Sequence, residues 1–273
     1  MDNLLTFLPF LAVLLGIGAF AGVLAGLLGV GGGIVLVPAF YYSFSAMGYA
    51  SDGLMQICVA TSLATIIVTS ARSVAAHNRR DAVDWPVLRS FAPGIVVGAG
   101  VGVFLAAGLS STTLMAVFSV MGVAIGMYMV FGRSDFRLRD TLPGPAVRAG
   151  YGAGIGFISS LMGIGGGAFA VPILTLHGVP IHRAVATAAG VGATIALPSV
   201  IGFMLVKQEV APPFTIGSVN LPAFLIIISM TLLTTPLGAR LSHALDPKPL
   251  KRAFGLFLAI VALNMARKVL MGG

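Results

Sequence analysis

Two glycine clusters carry the strongest chemical signal in the chain: Gly29-Val30-Gly31-Gly32-Gly33 and Gly163-Ile164-Gly165-Gly166-Gly167. Glycine backbone is too free to stay helical cheaply, so each cluster is expected to interrupt a helix. Both lie inside apolar sequence, where non-helical backbone is tolerated only if buried in protein or lining a wet cavity. The helix that restarts at Ile34 or Ala168 would present free N–H groups and a positive dipole end, which suits an anion. Gly31, Gly32, Gly33, Gly165, Gly166 and Gly167 are therefore candidate anion-binding residues. No GK[ST] follows either cluster, so neither is a P-loop.

Other polar groups could assist. Thr61, Thr65 and Thr69 are spaced by four and share a helix face. Thr187 repeats Thr61 in its local context, which places Thr61 and Thr187 among the candidates. Arg72 interrupts an apolar segment, either snorkelling to the interface or serving as a cation on an anion path. His77 is expected at the membrane edge, as an ordinary loop histidine or a gate or proton relay. His182 and Arg183 begin another apolar segment and invite the same two readings.

What is missing also limits the chemistry. The acids are Asp2, Asp52, Asp81, Asp84, Asp135, Asp140, Glu209 and Asp246, each in or beside a predicted loop. No buried carboxylate is thus expected as a proton or cation carrier. Walker, metal-ligand and GxSxG patterns are absent from the sequence, so neither a cofactor nor a metal is expected. The lone Cys58 excludes an intrachain disulfide.

The elements that hold these residues are membrane helices. Of 273 residues, 58% are hydrophobic and 9% charged, against about 25% charged in a soluble domain. So few charges cannot cover a water-facing surface. The net charge of +8 reflects basic loops rather than a nucleic-acid surface, since no basic run alternates with aromatics. Asn3 to Ser51 contains no charged residue, room for two crossings or for one crossing and a re-entry. Further apolar segments cover Leu54 to Ala76, Pro86 to Gly108, Thr112 to Phe131, Ala149 to Leu176 around the second break, Ala184 to Val206, Val219 to Leu241 and Leu250 to Ala266. Pro212-Pro213 and Pro247-Lys248-Pro249 are expected to punctuate loops. Gly18, Gly22 and Gly26, like Gly94, Gly98 and Gly102, form small-xxx-small faces for close helix packing. With no basic stretch at its start, the first segment is expected to stay in the membrane.

The chain reads as two copies. Ala25 to Phe40 (AGLLGVGGGIVLVPAF) aligns with Ser159 to Leu174 (SSLMGIGGGAFAVPIL), matching the glycines and setting Pro38 on Pro172. Val59-Ala60-Thr61 matches Val185-Ala186-Thr187. Val83-Asp84-Trp85-Pro86 matches Val219-Asn220-Leu221-Pro222, and Phe118 falls on Phe254. The division expected is a first transmembrane repeat over 1–132, a cytoplasmic linker over 133–148 and a second repeat over 149–273. Positive loops around Arg79 and Arg137 should face the cytoplasm, and the near-neutral loop from Lys207 to Ser218 should face outside. The repeats are then inverted, with both termini outside. The fold class is an all-α polytopic membrane protein, two inverted repeats with broken or re-entrant helices at the paired GxGGG turns.

At the paired GxGGGxxxVP turns, the VATSLAT stretch and the AHNRRDAVDW loop, the chain resembles the TauE/SafE family of anion permeases, or sulfite exporters. The resemblance runs from about Ala12 to Leu270. It implies a multi-pass protein of the cell inner membrane that carries sulfur-containing anions such as sulfite or organosulfonates. Its motif positions fall on Gly29, Gly31, Gly32, Gly33 and Pro38, and on Gly163, Gly165, Gly166, Gly167 and Pro172. Ala188-Ala189 stands where the first half has Ser62-Leu63, so the halves need not play equal roles. The partners expected are a small anion and the lipid bilayer, with no nucleic acid, and a homo-oligomer stays open. The competing classes are a non-transporting membrane assembly protein and an intramembrane hydrolase, which would need a nucleophile beside a base.

Overall fold

A computed structural model describes residues 2–132, 138–139, 141–244 and 247–271. They form ten α-helices and one short hairpin. In chain order the first half holds α1 (Asp2–Leu28), α2 (Gly33–Ala46), α3 (Leu54–Asn78), α4 (Trp85–Ala107) and α5 (Ser111–Phe131). The second holds α6 (Pro145–Met162), α7 (Gly167–Leu176), α8 (Ile181–Met204), α9 (Leu221–Ala244) and α10 (Pro247–Leu270), with β1 (Thr215–Ile216) and β2 (Val219–Asn220) ahead of α9. Seven helices are long and apolar enough to cross a membrane. Their outer faces carry exposed Val97, Phe104, Leu233 and Leu263, side chains that lipid accepts and water does not. Helices α2 and α7 follow the glycine clusters and have 14 and 10 residues, too short for the roughly 20 that a crossing needs. The interrupted helices expected from the sequence are therefore present.

Glycine faces decide the packing. In lipid, close backbone approach and dispersion replace the hydrophobic drive between helices. Gly18 faces Ile227, Gly22 faces Thr231 and Gly26 faces Ala239, so α1 lies along α9 and runs parallel to it. Gly94 faces Ala149, Gly98 faces Ala153 and Gly102 faces Phe157, which lays α4 along α6 in the same way. Each half thus supplies one helix to a pair completed by the other half. Gly122 faces Ala262 and Gly126 faces Ala259, so α5 and α10 run antiparallel. Helices α3 and α8 pack together in the centre and are the most enclosed of the long helices.

The loops differ from expectation in three places. Pro247 opens α10 instead of marking a loop, in keeping with the tolerance of proline at a helix start. The segment before α9 forms a two-stranded turn, with Thr215 paired to Asn220. Helix α6 begins at Pro145, so the end of the expected linker is helical. Arg137, one of the two residues on which the orientation rests, lies outside the described residues.

Candidate functional site

Gly32 and Gly166 each cap the N-terminus of a broken helix, at φ 79° and 69°. This left-handed geometry costs an L side chain about 1–2 kcal/mol, which explains glycine there. A Cβ on Gly32 would also fall 2.9 Å from the Ala21 carbonyl oxygen, and one on Gly166 would collide with Ile195.

The two turns are in contact. Gly165 N–H donates to the Val30 carbonyl at 3.3 Å. A Cβ on Gly33 would strike the Gly163 carbonyl, and one on Gly167 would strike that of Gly29. All of these glycines are buried. The structure thus brings Gly31 and Gly33 against Gly163 and Gly165, and Gly167 against Gly29, backbone to backbone, whereas Gly32 faces Ala21 and Gly166 faces Ile195. Gly33 and Gly167 begin α2 and α7; the Val35 and Leu36 N–H groups donate to the Gly32 carbonyl and those of Phe169 and Ala170 to the Gly166 carbonyl, so the N–H groups of Gly33, Ile34, Gly167 and Ala168 lie ahead of the first intrahelical bonds.

Helix α3 fastens the seam. Ser62 Oγ donates to the Gly163 carbonyl at 2.7 Å, and Thr69 Oγ1 lies 3.3 Å from the Gly31 carbonyl. Thr65 returns its hydroxyl to the Ser62 carbonyl. Ser70 differs from these neighbours. It is 1% exposed, has no hydrogen-bond partner and points at Gly192 of α8, next to Gly165. Ser159, in the last turn of α6, is likewise buried with an unpartnered hydroxyl, while its carbonyl accepts the Gly163 and Ile164 N–H groups. Nothing in the sequence separates Ser70 from the other hydroxyls of its segment. Ser159 was legible only as a position beside a turn.

Thr61 and Thr187 have matching structural roles. Thr61 Oγ1 accepts the Asn220 N–H, and Thr187 Oγ1 accepts the Asp84 N–H, both at 3.0 Å. Asn220 and Asp84 are themselves matched N-caps, accepting from Ala223 N–H and Val87 N–H. Each threonine therefore holds the first turn of a helix in the opposite half. Its oxygen is occupied as an acceptor, which leaves its proton to donate. A crevice of about 10 Å³ beside Thr187 is bordered by Val87, Phe91, Ala170, Leu174 and Val191, room for little more than one water.

Arg72 stands apart from this group. Its side chain is exposed, and its Nε lies 3.4 Å from the Leu232 carbonyl of α9. His77 also departs from expectation: it sits in the last turn of α3, wholly buried, instead of in a loop. Its Nε2 is 2.9 Å from the Gly26 carbonyl and its Nδ1 is 3.3 Å from His243 Nε2.

Long lipid-facing helices, two broken helices and a buried seam between them define a multi-pass membrane protein. The sulfite exporter TauE/SafE family matches residues 14–265, and the chain belongs to that family. It is similar to a probable membrane transporter protein of Haemophilus influenzae, 32% identical across 95% of this chain and 99% of the relative. A probable membrane transporter protein of Methanocaldococcus jannaschii is 28% identical, covering 95% of this chain and 96% of its own. No solved structure is significantly similar.

Proposed function

We propose that the protein is a secondary transporter for a small sulfur-containing anion such as sulfite or an organosulfonate, bound where the two glycine turns meet. The observation that carries this reading is the seam itself. Two interrupted helices end against each other in a buried centre, with unpartnered hydroxyls of Ser70 and Ser159 beside it. Hydroxyls and helix-start N–H groups can all donate, and among the described residues no carboxylate stands with them to repel an anion. The turns touch in the present conformation, so an anion would enter as they part. Thr61 and Thr187 each retain a hydroxyl proton to donate from the neighbouring helix. Arg72 would assist only at the rim.

The two halves are inferred to be inverted. Equivalent helices α5 and α10 run antiparallel, and the reciprocal bonds Thr61–Asn220 and Thr187–Asp84 fit an axis lying in the membrane plane. The basic end around Arg79 is assigned to the cytoplasm. An inverted pair can alternate access by rocking one half against the other.

The test is uptake into proteoliposomes of the full chain. Labelled sulfite, methanesulfonate, taurine, sulfate and acetate would be offered with and without ion gradients. Saturable uptake of a sulfur anion that empty vesicles lack supports the reading. Equal leakage in both for every anion would overturn it and favour a non-transporting role.

A further inference from the structure

Three of the chain's four histidines meet at one end of the central helix pair. The ring centroids of His77 and His243 are 5.4 Å apart, and the rings of His243 and His182 are stacked, 5.5 Å apart and nearly parallel at 20°. Exposure falls along the row. His182 is exposed, His243 is intermediate and His77 is buried. The row therefore leads from solvent to the Gly26 carbonyl, in the last turn of α1 just ahead of the first glycine turn.

The hydrogen bonds fix how many protons the inner pair can hold. A carbonyl only accepts, so His77 Nε2 carries a hydrogen and donates it to Gly26. In neutral His77 the other nitrogen, Nδ1, is then an acceptor. The 3.3 Å contact to His243 Nε2 is satisfied when that nitrogen donates. This leaves His243 Nδ1 with a lone pair. One added proton from water binds there and gives a charge-assisted bond from His243 to His77. A second proton would set N–H against N–H and break the contact. The pair is thus built for one exchangeable proton.

The repeat shows that this arrangement is not a packing requirement. The register that sets Thr61 on Thr187 sets His77 on Phe203 and Gln56 on His182. The register that sets Asp84 on Asn220 sets Ala107 on His243. Phe203 and Gln56 are as buried as packing demands, 0% and 3% exposed. The equivalent positions thus hold a phenyl ring, an amide and a methyl group, none of which titrates near neutrality.

We propose that His77 and His243 form a proton-binding site, reached through His182, whose charge favours an anion at the adjacent glycine turn. The coupling part rests on the transport reading above, whereas the proton site stands on the histidines alone. Facing groups are Arg80, close enough to act electrostatically on His77 and His243, and His182. Arg183 next to His182 is paired with Asp84 at 3.3 Å. From α1 the Gly26 carbonyl faces the pair. Among the described residues no group of three histidine, cysteine or acidic side chains is arranged to hold a metal.

The experiment uses the full chain in detergent, labelled with nitrogen-15 at histidine, with each signal assigned by a single substitution. We expect His77 as the Nε2–H tautomer, with His77 and His243 changing together in one step as the pH is lowered. His243→Gln should remove that step from His77. Calorimetry with methanesulfonate, an anion that stays ionised, follows in two buffers of different protonation heat. Wild type should take up about one proton per anion, while His77→Gln and His243→Gln still bind but take up none. Binding should tighten severalfold from high to low pH in wild type alone, within the usual range of site-to-site coupling of about 5–150-fold. Independent titration of the two rings, or none before the protein unfolds in acid, overturns the proton site. So does stoichiometric zinc binding that shifts both rings. Anion binding without proton uptake in wild type overturns the coupling. Failure of wild type to bind any sulfur anion counts against the transport reading, and the ring titration still decides the proton site.

Discussion

At the scale of single residues, the central question is which hydroxyls are free to bind. Ser62 and Thr69 already bond to carbonyls of the turns, whereas Ser70 has a buried hydroxyl and no partner. Removing a polar atom that has nothing to bond to should not destabilise the resting fold. Ser70→Ala is therefore expected to keep or slightly raise the melting temperature. A hydrogen bond to a charged group contributes roughly 1.5–3 kcal/mol, so the same variant should weaken anion binding by about one to two decades. A melting curve and a binding isotherm check the two halves of this prediction; unchanged affinity would remove Ser70 from the site. Gly32→Val and Gly166→Val should abolish transport, since each forces a β-branched residue into a left-handed position with no room for a Cβ. Normal insertion with unaltered anion affinity in both variants would place the site elsewhere.

At the scale of the elements, helix starts are tied across the halves. Thr61→Val would leave the buried Asn220 N–H without an acceptor, at a cost of about 1–3 kcal/mol. The expected result is a lower melting temperature with local loosening at the start of α9, read by amide exchange. Thr61→Ser, which keeps the oxygen, should recover most of it. Asp84 makes a similar point. Its repeat partner is Asn220, which caps its helix in the same way. Asp84→Asn should therefore lose only the exposed Arg183 ion pair, worth at most about 1 kcal/mol. Asp84→Ala should lose the cap as well, about 0.5–2 kcal/mol more. Equal melting temperatures for the two variants would show that the cap does not matter.

At the scale of the whole molecule, much of the architecture was legible because lipid imposes simple rules. The apolar segments, the breaks at the glycines and the glycine packing faces all follow from composition and spacing, and α1 to α10 fall where they indicate. The contact between the turns could be expected from the repeat, although their backbone-to-backbone closure could not. Partnerships between distant side chains were hidden. Nothing local in the sequence links Thr61 with Asn220 or His77 with His243, residues brought together only when α9 docks on α3. His77 looked like a loop residue because charged neighbours follow it, yet α3 continues through Asn78. The orientation can be tested directly. Cys58 is fully buried, so Arg79→Cys offers a single reactive thiol. It should resist an impermeant maleimide in intact cells and react once the membrane is opened. Labelling from outside would reverse the orientation.

The exchange of helices between the halves also sets a schedule for biosynthesis. Helix α1 emerges from the ribosome first, but its glycine face is completed by Thr231 and Ala239 of α9, near the end of translation. Until then that face must wait in lipid or against the insertion machinery. Helix α4, by contrast, finds its partner in α6, soon after the first half is complete. A ribosome stalled after α8 should therefore hold a nascent chain in which α4 and α6 can be crosslinked while α1 still faces lipid or the translocon. Such a chain should be degraded quickly, because its longest-waiting surface is the one that membrane quality control would meet.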